Sequence, residues 1–218
     1  ADLEWAIDDK GKLWWLQLRP ITRLSEVHMN ELDHEARFEQ PLYTRGNIGE
    51  MMPGPVTPLT MSTFGRAIDV GLQVFYQKMG TIPSISENNL FAHSFYNHLF
   101  FDMNALYDST RKVMLSRKEN VDLAVVGEVV PNVEVDMEVS FFRGLFNLIR
   151  MVRYINSAPK AHKELRQMHK HFKLDGKDDV KDCYHEIDNQ LHILFEAYTL
   201  HYVTSSQSGS LYTTILNI

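Results

Sequence analysis

Three polar residues near the start of the chain have types and positions that suit a metal–phosphate site. Glu4 and Gln17 fall on two segments that a short turn joins, and Arg19 lies two positions after Gln17. Cross-strand neighbours lie close together and alternate residues share a face, so the sequence predicts that all three point to one side of a hairpin. A carboxylate and an amide oxygen suit Mg²⁺, and a guanidinium suits phosphate. The alternative is the ordinary solvent-facing side of a hairpin.

A β-hairpin over residues 2–19 would bring these side chains together. Residues 3–7 and 12–19 predict its two strands, and residues 8–11 predict its turn. Pro20 ends the second strand because proline cannot donate a hydrogen bond to a sheet. An isolated hairpin is marginally stable in water, so we expect this one to belong to a larger sheet and the chain to be a piece of a longer protein.

A Gly- and Pro-rich stretch over residues 42–58 carries a second set of polar side chains. Its prolines and glycines preclude a continuous helix. The polar residues are Arg45, Asn47, Glu50 and Thr57. Two interpretations stay open for them: a substrate-facing loop, or a domain-junction loop shaped by glycine and proline.

Helical patterns dominate the rest of the chain. Thr57 suits an N-cap and Pro58 a first turn, and apolar residues spaced by three and four predict a helix that ends at Gly80. The aromatic-rich segment over 90–107 fits a helix or a buried strand, and a helix is favoured. Further helices are expected over about 136–156, from 159 to about 172, and from 178 or 179 past 202. The apolar face expected for the first of these is Met137, Phe141, Leu145, Leu148, Val152 and Ile155.

The sequence therefore predicts a mainly α chain, in which a multi-helix domain follows a β-hairpin. We expect residues 1–22 to form the hairpin, residues 23–41 to be a linker, and residues 42–218 to form the helical domain, itself incomplete.

The hairpin also resembles the closing strands of an ATP-grasp nucleotide-binding domain, an α+β fold. The resemblance is carried by Asp-Leu-Glu-Trp-Ala-Ile-Asp at 2–8 and Gly-Lys-Leu-Trp-Trp-Leu-Gln-Leu-Arg-Pro-Ile-Thr at 11–22. The version is that of phosphoenolpyruvate synthase, pyruvate phosphate dikinase and rifampin phosphotransferase. Residues 43–60 are similar to the start of the helical substrate-binding domain in the rifampin phosphotransferase branch. The resemblance implies that Glu4 and Gln17 hold the Mg²⁺ of Mg-ATP and that Arg19 contacts phosphate.

The resemblance also implies a reaction of the dikinase type. In that family a swivelling domain carries a catalytic His, which takes a phosphoryl group from ATP and delivers it to a small molecule, releasing AMP and phosphate. The Gly-Gly-x-x-Ser-His stretch of that domain is absent from residues 1–218. We therefore expect no catalytic residue in this chain. The expected cofactors are Mg²⁺ and ATP, and the expected partners are a phosphoryl acceptor and the missing ATP-grasp and His domains of the parent chain.

The composition fits a folded globular protein and argues against several other classes. Hydrophobic residues make up 44% and charged residues 23% of the 218 residues, which excludes a disordered or low-complexity chain. The net charge of −6 argues against nucleic-acid binding. No apolar run approaches the roughly 18 residues needed to span a bilayer, so a membrane is not an expected partner. Nucleic acid is not an expected partner either, because of the net charge. The lone Cys183 fits a reducing compartment, and a cytoplasmic location is expected.

Two other interpretations remain. The first is a non-catalytic helical binding module from a relative that lost catalysis. The second is a His-based metal protein. The ten histidines raise the second possibility, but His185 and His192 lie two helical turns apart, too far to share one ion.

Overall fold

The computed structural model describes residues 2–19 and 38–216, with side chains for residues 4–17 and 38–209. The chain divides into two compact units, residues 1–35 and 36–218. The described residues are mainly helical with small antiparallel sheets, which confirms the predicted fold class at that level. Most of the linker expected over residues 23–41 lies outside the described residues.

The first unit contains the predicted hairpin. Strand β1 (Asp2–Ile7) pairs antiparallel with β2 (Leu13–Arg19). The turn between them is organised by Asp8, whose carboxylate accepts the N–H groups of Lys10 and Lys12 at 3.0 and 2.9 Å. The second carboxylate oxygen accepts the indole N–H of Trp14 at 2.8 Å. Hydrogen bonds from Trp14 and the Lys12 N–H hold the pKa of Asp8 below its usual value.

The second unit is a helical body with one three-stranded sheet of order β3-β5-β4. Its elements in chain order are β3 (Tyr43–Thr44), α1 (Gly46–Met51), α2 (Pro58–Thr60), a π-helical turn (Met61–Gly65), α3 (Arg66–Met79), β4 (Ala92–Phe95), β5 (His98–Asp102), α4 (Met103–Thr110), α5 (Lys118–Val125), α6 (Phe141–Ile155), α7 (Ala158–His171) and α8 (Val180–Leu216).

The helix favoured for residues 90–107 is wrong over most of its length. Residues 92–102 form the β4–β5 hairpin, and only the end of the segment enters α4. Tyr96 and Asn97 make the two-residue turn with φ of 50° and 58°. A type I′ two-residue hairpin turn needs positive φ at both positions, which asparagine tolerates well, and aromatic residues favour strands. The tight turn therefore decides between strand and helix in this segment.

Helices α2, α3 and α8 follow their predicted terminal signals closely. Thr57 caps the stretch that runs through α2, the π turn and α3, since its Oγ1 accepts the Thr60 N–H at 3.3 Å. Gly80 ends α3 with φ of 82°. Asp179 accepts the N–H groups of Lys181 and Asp182 at the start of α8. These caps confirm the predicted boundaries.

Helix α6 differs from its prediction in two ways. It begins at Phe141 rather than near residue 136. Two residues of its predicted apolar face, Phe141 and Val152, are also exposed, whereas Gly144 and Asn147 are buried. Residue volume explains this: the small Gly144 lets α6 approach Met114 and Val139 closely, where a Cβ would meet their atoms at 3.2 and 2.8 Å.

The core of the second unit is centred on α3. Ile68, Leu72 and Phe75 of this helix are buried. Gly71 permits close packing against α8, because a Cβ at this position would lie 3.0 Å from atoms of Tyr198 and Tyr202. The sheet and α4 complete the core, and α3 thereby fixes the position of the β4–β5 hairpin.

Candidate functional site

Glu4 and Gln17 lie directly opposite each other in the β1–β2 register. Opposed residues of an antiparallel pair project from the same face, with Cβ atoms about 5 Å apart. Both side chains are exposed. A register shift follows between Glu4 and Trp5, where Leu16 is the additional residue of β2, and a bulge of this kind re-aims neighbouring side chains. The hairpin thus presents a carboxylate and an amide oxygen side by side.

This donor pair fits a hard cation. Mg²⁺ binds oxygen ligands and commonly takes only one or two from protein, with waters and substrate phosphates as the rest. Within the described residues, no three His, Cys, Asp or Glu side chains gather closely enough to hold a metal ion. A metal at Glu4 and Gln17 therefore needs further oxygen ligands from a nucleotide or from other protein. Arg19 pairs with Asp2 in the register, and its side chain lies outside the described ones.

In the second unit, Arg45 fastens the Gly- and Pro-rich loop. Its Nη2 donates to the carbonyl oxygens of Met52 and Pro53, each at 3.1 Å. Its guanidinium lies 5.8 Å from the centre of the Phe100 ring on β5. These contacts give Arg45 a structural task, because they close the loop over the end of α1.

The other three polar residues of this stretch lie in different settings. Thr57 is used as a helix cap. Asn47 and Glu50 are exposed on α1, three positions apart, and therefore share a face of that helix. The loop is also held to the β4–β5 turn, since the Val56 N–H donates to the Asn97 carbonyl at 2.8 Å. A substrate contact from Arg45, Asn47, Glu50 or Thr57 stays a prediction.

The sequence interpretation missed a polar cluster on the three-stranded sheet. His93 Nε2 lies 3.8 Å from Oδ2 of the buried Asp102. The centre of the Tyr43 ring lies 5.6 Å from the centre of the His93 ring. The other oxygen of Asp102 caps α4 by accepting the Ala105 N–H. Burial, and then the charge of Asp102, raise the pKa of Tyr43. Only the strand pairing reveals this cluster, because its members are distant in sequence.

A groove of about 510 Å³ lies between α7 and α8. Its volume falls within the roughly 300–1,000 Å³ of small-molecule sites. Met168, Phe172 and Ile193 supply apolar lining, while Lys173 and Glu196 supply charge. The groove is an open surface depression with a mixed apolar and charged lining.

Comparisons with known proteins gave no relative. The chain matches no family model, no curated protein and no solved structure. Among the described residues, no helix is both long enough and apolar enough to cross a bilayer.

Proposed function

We propose that this chain is part of an ATP-dependent phosphotransferase of the phosphoenolpyruvate synthase and rifampin phosphotransferase type. The hairpin supplies one edge of an ATP-grasp site for Mg-ATP, and residues 42–218 bind the phosphoryl acceptor. The phosphoryl group travels on a His of a domain outside residues 1–218. The half-buried lone Cys183 supports a cytoplasmic location.

The direct pairing of Glu4 with Gln17 carries this proposal. The carboxylate of Glu4 and the amide oxygen of Gln17 would bind the same cation from one face of the hairpin. When bound, Mg²⁺ neutralises charge on the phosphate oxygens, which is a main source of rate in phosphoryl transfer. Arg19, two positions beyond Gln17 on β2, would contact a phosphate.

The exposed apolar side chains of the hairpin also support the proposal. Trp5, Trp15 and Leu16 are 57%, 66% and 64% exposed. Exposed apolar groups of this size are typical of a surface that packs against further protein. Additional strands of an ATP-grasp sheet would bury these side chains. The same strands would also supply the further oxygen ligands that the cation needs.

A non-catalytic binding module is the second candidate. It is favoured by the structural use of Arg45 and Thr57, which leaves fewer polar groups of the loop for a substrate. The groove between α7 and α8 would then bind a ligand without chemistry.

Substitution of Glu4 by Gln in the full-length parent tests the first proposal. The change removes the ligand charge and keeps the size, so we expect ATP-dependent AMP release to fall by about 100-fold or more. Asp9→Asn, in the exposed turn of the same hairpin, is the matched control and should leave AMP release unchanged. Equal rates for the two variants would refute the metal assignment. A parent that releases no AMP at all would favour the binding module.

A further inference from the structure

The outward side of α6 is apolar where it meets solvent. Phe142, Phe146 and Ile149 are 82%, 56% and 48% exposed, and they recur at steps of four and three residues, so they form one stripe along the helix. Phe141 and Val152 are exposed beside it. We call these five residues the α6 stripe. Monomeric proteins rarely expose so many large apolar side chains together unless the surface binds something.

The α6 stripe does not belong to the hydrophobic core. Helix α6 contacts the core through its other side, where Gly144 and Asn147 are buried. The Asn147 side-chain amide donates to the Lys112 carbonyl at 2.9 Å. A surface helix normally turns its apolar face inward. Here Gly144 and Asn147, together with Met151 and Tyr154, face the core, so Phe142, Phe146 and Ile149 are left on the outer side of the helix.

The charged residues of α6 itself are all positive, while the exposed Asp136 and Glu138 precede the helix. Arg143, Arg150 and Arg153 are exposed on α6, and the guanidinium of Arg150 lies 4.6 Å from the centre of the Phe146 ring. No acidic residue occurs from residue 141 to residue 163, although the chain as a whole carries a net charge of −6. The surface along α6 therefore favours a partner that is apolar at its centre and anionic around it.

We propose that the α6 stripe binds the surface of an anionic lipid bilayer. Phenylalanine side chains enter the boundary between headgroups and acyl chains, and arginines pair with lipid phosphates. A second copy of the chain suits the surface less well, because two such helices would bring their arginines together. The expectation of no membrane partner rested on the length of apolar runs, which bears on spanning a bilayer and not on lying at its surface.

Vesicle co-sedimentation of the whole chain tests this proposal. We expect binding to phosphatidylcholine vesicles that contain phosphatidylserine, weaker binding to pure phosphatidylcholine, and a loss of binding as salt is raised. Phe142→Ser with Phe146→Ser should weaken partitioning by about 100-fold, at roughly tenfold for each buried ring. Val180→Ser is the matched control, because Val180 is 84% exposed and lies outside α6. Its binding should equal that of the wild type.

A second variant tests the charge separately. Arg143→Gln with Arg153→Gln should weaken binding to the anionic vesicles by about 25-fold, at roughly fivefold for each arginine, and leave binding to neutral vesicles unchanged. Lys181→Gln, an exposed cation on α8, is its control. Circular dichroism melts establish that each variant is folded.

Three results would overturn the proposal. The first is an absence of binding to anionic vesicles. The second is binding that the α6 variants do not weaken, which would assign it to another surface such as the exposed tryptophans of the hairpin. The third is a concentration-dependent dimer, without vesicle binding, that Phe142→Ser with Phe146→Ser abolishes. That result would assign the stripe to a second copy of the chain.

Discussion

Removing the carboxylate of Asp69 should loosen the attachment of the β4–β5 hairpin to α3. One oxygen of this fully buried side chain accepts the N–H groups of Leu90, Phe91 and Ala92 at 2.9, 2.7 and 3.0 Å. The other oxygen accepts the side-chain amide of Gln73 at 2.6 Å. The loop that contains Arg45 rests on this hairpin, so Asp69 positions the predicted substrate loop through the sheet.

The cost of Asp69→Ala follows from the groups that lose their acceptor. Phe91 and Ala92 are buried, so water cannot replace the carboxylate at their N–H groups. A buried donor without a partner costs about 1–3 kcal/mol, and the Gln73 amide adds a third such group. We expect the free energy of unfolding to fall by about 3–5 kcal/mol, which corresponds to roughly 10 °C or more in melting temperature.

Far-ultraviolet circular dichroism is the suitable assay, because every helix described lies in the second unit. Tryptophan fluorescence would report only on the first unit, where all three tryptophans occur. Asp108→Ala is the control, since Asp108 pairs with Arg111 and Lys112 near the surface and should contribute less than about 1 kcal/mol. Equal melting temperatures for the two alanine variants would refute the reasoning.

Three further predictions concern the same unit. Burial raises the pKa of Asp122, but hydrogen bonds from Lys118 and Tyr107 outweigh it, so the pKa is lowered in the folded protein. The carboxylate therefore stabilises the fold above about pH 4, and this stabilisation is lost as the pH falls below that value. In acid melts, Asp122→Asn should lose less melting temperature than the wild type. Gly71→Leu should lower stability by about 3 kcal/mol in urea titrations, because the side chain would separate α3 from α8. Thr57→Ala should cost about 1 kcal/mol in the same titrations through loss of the cap.

Local signals made several helix boundaries predictable. The cap at Thr57, the left-handed Gly80 and the acidic start of α8 each act within one helical turn, so the sequence alone indicates them. The Glu4–Gln17 pairing was predictable for a similar reason, because a short turn leaves few registers open. The bulge beside Glu4 has no comparable sequence signal.

Features that depend on distant residues were not predictable. The residue pattern of the 90–107 segment fits both a helix and a buried strand. The Tyr96–Asn97 turn decides between them only through its backbone conformation. The proximity of His93 to Asp102 depends on the pairing of β4 with β5. The orientation of α6 was predicted from hydrophobicity, whereas close packing at Gly144 determines it in the structure.

Manganese-induced broadening of nuclear magnetic resonance signals tests most directly whether Glu4 and Gln17 share a cation. With Mn²⁺ and ATP added to the chain, the side-chain amide signals of Gln17 should broaden before those of Gln190, which lies on α8 close in sequence to Glu186. Excess Mg²⁺ should reverse the broadening, and Glu4→Gln should remove the preference for Gln17. Equal broadening at Gln17 and Gln190, or a preference that survives Glu4→Gln, would contradict the shared metal site.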